Sequence, residues 1–148
     1  MELSNRSTTS EDSKKYIDYI NSIRASNGVQ PIRFDSRVYN IAMARVNDMD
    51  KYGYMGHTNH QTGTCADNIK TLFGLSNSEY VAENAYGFST GGSYSTGMEK
   101  EAVDVWMTSP LHRNNLLYRH SAGAIACSKG GHCVFLGLNN NRYGQGCY

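Results

Sequence analysis

A few side chains of this sequence could bind a divalent cation or transfer protons. They are His57, His60, Glu83, His112, His120 and His132. Imidazole and carboxylate together suit zinc and similar ions, and imidazole also serves as a general acid or base near neutral pH. None of these residues sits in a compact metal motif such as HExxH. Any site must therefore be assembled from distant segments, and we expect His60 and His120 to be ordinary exposed loop residues.

The four cysteines favour disulfides over a zinc site, because they are widely spaced and no two form a CxxC pair. The sequence of residues 127–133 predicts two strand ends joined by a Gly-Gly turn, which would bring Cys127 and Cys133 together. Cys65 would then pair with Cys147. The alternative is four reduced thiols in a cytosolic protein. A Cys–His protease is disfavoured, because adjacent strand residues such as His132 and Cys133 point to opposite faces.

Length and charge exclude several classes of protein. The chain has 148 residues and a net charge of +1 at pH 7, which predicts one domain and gives no reason to expect a nucleic-acid partner. No stretch reaches the roughly 18 apolar residues of a membrane span. The polar start lacks a signal peptide. We expect a flexible leader over residues 1–12, a single domain over 13–148 and a monomer.

Two amphipathic helices precede a long irregular tract. The first follows a capping box at Thr8 or Thr9 and stops at Asn27-Gly28. The second begins after Asp35 and frays by Gly53. Its inward positions follow the i, i+3, i+4 pattern: Val38, Ile41, Ala42, Arg45, Val46 and Met49.

Residues 52–97 show no clear periodicity beyond one short helix near Asp67–Leu72, and a tract of this length indicates a functional surface. It carries His57 and Glu83. Its tyrosines could rim a cleft or simply face solvent: Tyr52, Tyr54, Tyr80, Tyr86 and Tyr94.

The only tryptophan lies beside a predicted helix break. Apolar spacing predicts a helix that carries Trp106 and ends near Thr108, and a second helix that starts after Pro110. This break would hold His112 at the lip of the apolar face that carries Trp106. Two strands follow, over 122–128 and 134–138. Together these elements predict an α+β fold of three layers with a small antiparallel sheet.

Four stretches resemble one family. Residues 19–35 are similar to its opening motif, Met55-Gly-His57-Thr58 to its histidine signature, and Ala82-Glu83-Asn84 to its GEN motif. Residues 102–116, AVDVWMTSPLHRNNL, match its bacterial-type signature. The chain thus resembles the cysteine-rich secretory, antigen 5 and pathogenesis-related 1 proteins, the CAP or SCP-like domain. The likeness covers about residues 15–140 and implies a three-layer α-β-α sandwich, in agreement with the three layers expected from the elements.

The resemblance also implies a site. In many members two histidines and two glutamates line an open cleft and can bind a cation. His57, Glu83 and His112 match three of these positions, while Ser109 stands where the second glutamate is expected. Glu101 or Asp104 could take the place of this glutamate, but on a helix neither lies well on the same face as Ser109. With three ligands, a zinc ion would be weakly bound and would keep water as its remaining ligand.

The resemblance finally implies a secreted or cell-surface domain with a non-enzymatic role. The cleft would be formed by His57, Glu83, Asn84, Ser109 and His112. Its ligand would be a small apolar molecule, a glycan or a protein partner. The alternative function is a metal-dependent hydrolase that uses the same cleft. A third interpretation is a hydrogen-bonded knot of these side chains that only pins the long tract to the Trp106 helix.

Overall fold

A four-stranded sheet lies between two helical layers in the computed structural model, which describes residues 6–148. The helices are α1 (Ser10–Ser26), α2 (Ser36–Tyr52), α3 (Ala66–Ile69), α4 (Met98–Trp106) and α5 (Pro110–Leu117), and a 3₁₀ turn spans Lys70–Phe73. The strands are β1 (Arg33–Phe34), β2 (Thr58–Asn59), β3 (Thr64–Cys65), β4 (Tyr80–Tyr86), β5 (Ala122–Cys127) and β6 (Cys133–Asn139).

The sheet has the strand order β1-β5-β6-β4. It is antiparallel, as predicted, except that β1 runs parallel to β5. Alternate residues of β5 and β6 face opposite layers. Ala124 and Leu136 pack toward α2, whereas Ile125 and Phe135 pack with Trp106 toward α1, α4 and α5. The predicted α-β-α sandwich is therefore confirmed.

The packed domain begins earlier than predicted. Thr9 caps α1 through a capping box with Asp12, and the side chain of Thr8 is buried. The Thr8 hydroxyl donates to Glu99 Oε2 at 2.7 Å and accepts from the Cys127 amide at 2.7 Å. The boundary of the flexible leader at residue 12 was therefore placed too far along the chain. Residues 1–5 of that leader lie outside the described residues.

Helix α2 is the inner support of the site. Its N-cap is Asp35, which accepts hydrogen bonds from the backbone amides of Arg37 at 2.8 Å and Val38 at 3.3 Å. Gly53 ends the helix with φ near 65°, a left-handed conformation that glycine adopts without steric cost. All six predicted inward positions are buried, and they include the charged side chain of Arg45.

The sequence interpretation missed strand β4. Residues 52–97 were expected to be irregular apart from one short helix, but Tyr80–Tyr86 pairs along its whole length with β6. The polar pair Glu83 and Asn84 interrupts the apolar run, so the segment lacks the alternation that marks a strand. Both residues are nevertheless buried, because other side chains satisfy their polar atoms. The short helix is present as α3 and the 3₁₀ turn.

Both predicted disulfides are present. Cys127 and Cys133 join the facing ends of β5 and β6, and Cys65 joins Cys147 across 82 residues of sequence. All four cysteines are thus paired, so the reduced-thiol alternative and the Cys–His protease are both wrong for this structure. Within residues 6–148, none of the helices is long and apolar enough to cross a membrane.

A first prediction concerns the start of α2. Burial by itself raises the pKa of Asp35, but hydrogen bonds from Arg37 and Val38 and the Arg37 charge lower it below 3.8. This stabilisation is present above the unfolded pKa and is lost as pH falls through the lower folded pKa. Asp35→Asn keeps a capping side chain but loses the ion pair. We expect it to cost about 0.5–1 kcal/mol at neutral pH and much less near pH 3.

Urea unfolding of both proteins at the two pH values measures this difference. An equal gap between the proteins at both pH values would contradict the assigned role of the Asp35 charge.

Candidate functional site

A cleft of about 560 Å³ opens between strand β4, the start of α5 and the residues after β6. All five predicted cleft residues line it: His57, Glu83, Asn84, Ser109 and His112. The edge strand β4 forms the floor, and residues 142–148, called here the cleft-wall segment, form one side. Glu83 and Asn84 meet the motif around His112 because β4 lies beside α5, and His57 reaches Glu83 through a hydrogen bond across 26 residues of sequence.

The Glu83 carboxylate at the floor is held by a buried arginine. Arg45 Nε donates to Glu83 Oε2 at 2.9 Å, and Arg45 Nη2 donates to Oε1 at 3.2 Å. The side chains of Arg45 and Glu83 are only 1% and 3% exposed. A two-point contact of this kind fixes the orientation of the carboxylate as well as its charge.

Arg45 is itself anchored on the side away from the cleft. Its Nη2 donates to the carbonyl of Gly56 at 2.7 Å, and its Nη1 donates to the Tyr54 hydroxyl at 2.6 Å. Tyr54 in turn donates to Asp48. Burial alone lowers the pKa of Arg45, but the charge and hydrogen bonds of Glu83 raise it overall. Burial and the bond to Asp48 raise the pKa of Tyr54 to about 12. The guanidinium therefore stays charged and Tyr54 stays protonated.

His57 receives its orientation from Glu83. Its Nδ1 lies 2.9 Å from Glu83 Oε1, and a carboxylate can only accept, so Nδ1 carries the proton. This leaves Nε2 as the atom that His57 can offer to a ligand. The Tyr148 ring covers part of the imidazole, with the ring centroids 4.7 Å apart.

His112 stands on the first turn of α5 and is oriented by two contacts. Its Nδ1 shares a 2.9 Å hydrogen bond with Ser109 Oγ, and its backbone carbonyl accepts from Asn84 Nδ2 at 2.9 Å. Burial, and to a lesser degree the nearby His57, lower the pKa of His112 below 6.5. His112 is therefore uncharged at pH 7 and, like His57, has its Nε2 left for a ligand.

Asn115 fastens α5 to β4, a role that the sequence interpretation missed. Its Nδ2 donates to the Ala82 carbonyl at 3.0 Å and to Asn84 Oδ1 at 3.1 Å. Its Oδ1 accepts from His120 Nε2 at 2.8 Å. Asn115 could have been suspected only from its polar type on an inward helix position.

The remaining histidines lie outside the cleft. His60 is exposed, as predicted. The prediction for His120 was wrong, because it is buried beneath Tyr118 and Tyr143 and burial lowers its pKa to about 3. His132 is also buried, and its ring nitrogens lie 2.6 Å from Asp50 and 2.8 Å from the Phe88 carbonyl.

The tyrosines of the cleft come from the cleft-wall segment, not from residues 52–97. Tyr143 stacks on Tyr118 with ring centroids 4.0 Å apart, and Tyr148 lies on His57. The five tyrosines of residues 52–97, for which the sequence left both a cleft rim and a solvent-facing position open, are absent from its lining. Buried or nearby carboxylates hold three of them, since Tyr54 donates to Asp48, Tyr86 to Glu101 and Tyr94 to Glu99.

Few contacts hold the end of the cleft-wall segment. Gly146 N donates to Asp67 Oδ2 at 2.8 Å, and Thr58 Oγ1 donates to the Tyr148 carbonyl at 2.7 Å. Such bonds contribute about 0.5–1.5 kcal/mol each, whereas ordering the backbone of residues 145–148 costs roughly 1–2 kcal/mol per residue. The Cys65–Cys147 disulfide is the covalent cross-link between these four residues and the rest of the domain, and the Tyr148 ring adds a contact with His57.

The residues present do not fit a tightly held metal ion. Among the described residues 6–148, no group of three or more His, Cys, Asp or Glu side chains is placed to bind one. Glu83 is occupied by Arg45 and His57 and acts as an orienting carboxylate. Glu101 and Asp104 bond to Tyr86 and Tyr19, away from the cleft. Two imidazole Nε2 atoms remain, fewer than the three or four protein ligands usual for zinc.

A second prediction tests the buried ion pair. Arg45→Met and Glu83→Leu should each destabilise the fold by about 3–5 kcal/mol, because each leaves one buried charge without its partner. The double variant should lose far less than the sum of the two. Urea unfolding of all four proteins gives the coupling free energy.

Lys100→Met provides the matched control, since Lys100 and Asp104 form an exposed ion pair and exposed pairs contribute little to stability. If the Arg45 and Glu83 variants cost no more than this control, the pair does not anchor the cleft floor.

Comparison with known proteins identifies relatives for most of the chain. The model of the cysteine-rich secretory protein family matches residues 17–137. The uncharacterized protein YkwD of Bacillus subtilis (strain 168) is 30% identical over 111 residues, which cover 75% of this chain and 40% of that protein. This chain thus spans well under half the length of that relative.

Two solved structures share the fold. An extracellular protein containing an SCP domain from Bacillus anthracis aligns with a TM-score of 0.69 and 18% identity, over 86% of this chain and 40% of that one. An outer surface protein from Borrelia burgdorferi aligns with a TM-score of 0.70 and 14% identity, over 93% and 99% of the two chains. At these identities the likeness concerns the fold alone.

Proposed function

The chain belongs to the cysteine-rich secretory protein family, and from this premise we propose that it is a secreted or cell-surface domain whose cleft binds a ligand without transforming it. The ligand has an apolar part. The single observation that carries the proposal is the cleft itself, with exposed Leu111 and Tyr148 at its rim and a hydrogen-bonded polar floor.

The size and lining of the cleft support this proposal. Its volume of about 560 Å³ falls within the roughly 300–1,000 Å³ of small-molecule sites. The side chain of Leu111 is 81% exposed beside it, so a ligand that covers this leucine removes apolar surface from water. Within the cleft, Ser109, His57 and His112 offer hydrogen-bonding atoms that can orient the ligand.

The descriptions of the structural relatives and the two disulfides of this chain support a location outside the cytosol. Both structural relatives are described as extracellular or outer surface proteins, and this chain has two disulfides. Disulfides persist in oxidising compartments and are rare in the cytosol of ordinary organisms. Secretion or surface attachment is therefore part of the proposal.

A third prediction tests the cleft with a fluorescent probe. The apolar dye 8-anilinonaphthalene-1-sulfonate should bind the folded protein at one site, and Leu111→Asp should weaken that binding several-fold. Leu72→Asp is the matched control, because Leu72 is equally exposed, at 80%, but lies on the 3₁₀ turn outside the cleft. Fluorescence titration of the three proteins gives the affinities.

Equal loss of binding in the two leucine variants would mean that the dye does not use the cleft. No binding by any of the proteins would contradict an apolar small-molecule ligand and would leave a glycan or protein partner as the occupant to test.

The alternative is a metal-dependent hydrolase in the same cleft. It requires a divalent ion near His57 and His112, which two imidazole Nε2 atoms would hold only weakly. Ser109 shares a hydrogen bond with His112 and stands where the family has a second glutamate, so Ser109→Glu supplies the acidic side chain that this chain lacks.

A fourth prediction therefore compares zinc binding by calorimetry. We expect weak heats for the unchanged protein, their loss in His112→Ala, and affinity at least about tenfold higher in Ser109→Glu, or roughly 1.4 kcal/mol. Stoichiometric zinc binding by the unchanged protein, as tight as that of Ser109→Glu, would support the hydrolase and contradict the non-enzymatic proposal.

A further inference from the structure

We infer that the Cys65–Cys147 disulfide is a thiol–disulfide exchange site that controls access to the cleft. Reduction by a dithiol releases the cleft-wall segment and uncovers His57. This inference concerns regulation of the cleft and rests on the proposed binding function.

The two cysteines of this disulfide differ in burial and in structural support. Cys65 is buried at the start of α3, where its backbone amide donates to Asn68 Oδ1 at 2.9 Å. Cys147 is exposed and belongs to no helix or strand. One half of the bond is therefore fixed in the domain, and the other half sits on a segment with little support of its own.

The cleft-wall segment, which includes Cys147, also covers part of the site. Arg142, Tyr143, Gly144, Gln145 and Tyr148 all line the cleft. Tyr148 follows Cys147 directly and lies on the His57 ring. Tyr143 stacks on Tyr118, and Gly144 packs closely against the backbone of Val81 and Ala82. Beyond Gly144, the disulfide, two exposed hydrogen bonds and the ring contact of Tyr148 with His57 hold the segment on the rest of the domain. Breaking the disulfide therefore frees the residues that cover His57.

The exchange step balances with a dithiol as the reductant. Its thiolate attacks the sulfur of Cys147, the exposed residue of the pair, forming a mixed disulfide and expelling the Cys65 thiolate. The second thiolate of the reductant then attacks the mixed disulfide and releases Cys147. Two electrons pass to the protein disulfide, and the reductant leaves as its own disulfide. The two cysteine thiolates take up protons from solvent.

The burial of the second disulfide makes reduction selective for Cys65–Cys147. Cys127 and Cys133 are both fully buried in the core between the sheet and α4, so a dithiol cannot reach them in the folded protein. Thiol exchange depends on access to the attacked sulfur. Mild reduction should therefore open the cleft and leave the sandwich intact.

The test measures the exposure of His57 without any ligand, so its failure would not affect the cleft-binding proposal. The full chain is treated with dithiothreitol, its free thiols are capped with iodoacetamide, and its histidines are modified with diethyl pyrocarbonate. Peptide mass spectrometry then gives a rate for each histidine and locates each capped cysteine. Exposed His60 and buried His132 are internal controls.

We expect Cys65 and Cys147 to be capped first, with a several-fold rise in the His57 rate and no change at His60 or His132. Cys147→Ser should show the same rise without reductant. Tyr148→Ala should raise the His57 rate with the disulfide intact. The inference is overturned if His57 reacts at the same rate after Cys147 is capped, or if both disulfides are reduced together.

Discussion

A guanidinium and a carboxylate, both almost removed from water, meet beneath the cleft and set the geometry above them. Arg45 comes from α2 and Glu83 from β4, so their contact joins the inner helix layer to the edge of the sheet. Neither charge can be buried without the other, because desolvation of a lone ion costs several kcal/mol. The same contact presents Glu83 to His57, and the floor of the site therefore depends on it.

Helix α5 and the cleft-wall segment complete the site from opposite sides. Asn115 and Asn84 fasten α5 to β4 and thereby place His112 over the floor. The Cys65–Cys147 disulfide brings Tyr148 onto His57. One side of the cleft is thus held by hydrogen bonds within the folded core, and the other by a covalent bond near the surface. Because of this difference in support, the cleft-wall segment is the side of the cleft that reduction of a disulfide would release.

Much of the fold and most cleft residues could be predicted from the sequence, for two reasons. The caps and the apolar stripes of α1 and α2 are local signals, and the resemblance to a family located His57, Glu83, Ser109 and His112. Strand β4 could not be predicted, because its central polar residues are satisfied by partners far along the chain. Arg45 was predicted to lie on the buried face of α2, but its partner was not inferred. An arginine on a buried stripe requires an anionic partner.

The Arg45–Glu83 pair holds the His57 ring so that Nδ1 donates to Glu83 and Nε2 is left for a ligand. The most direct measurement is the ¹⁵N chemical shift of the His57 ring nitrogens, recorded well above the ordinary imidazole pKa of about 6.5. We expect a protonated, pyrrole-type Nδ1 and an unprotonated Nε2. A protonated Nε2 with an unprotonated Nδ1 would contradict this arrangement, because such a ring could not donate to Glu83.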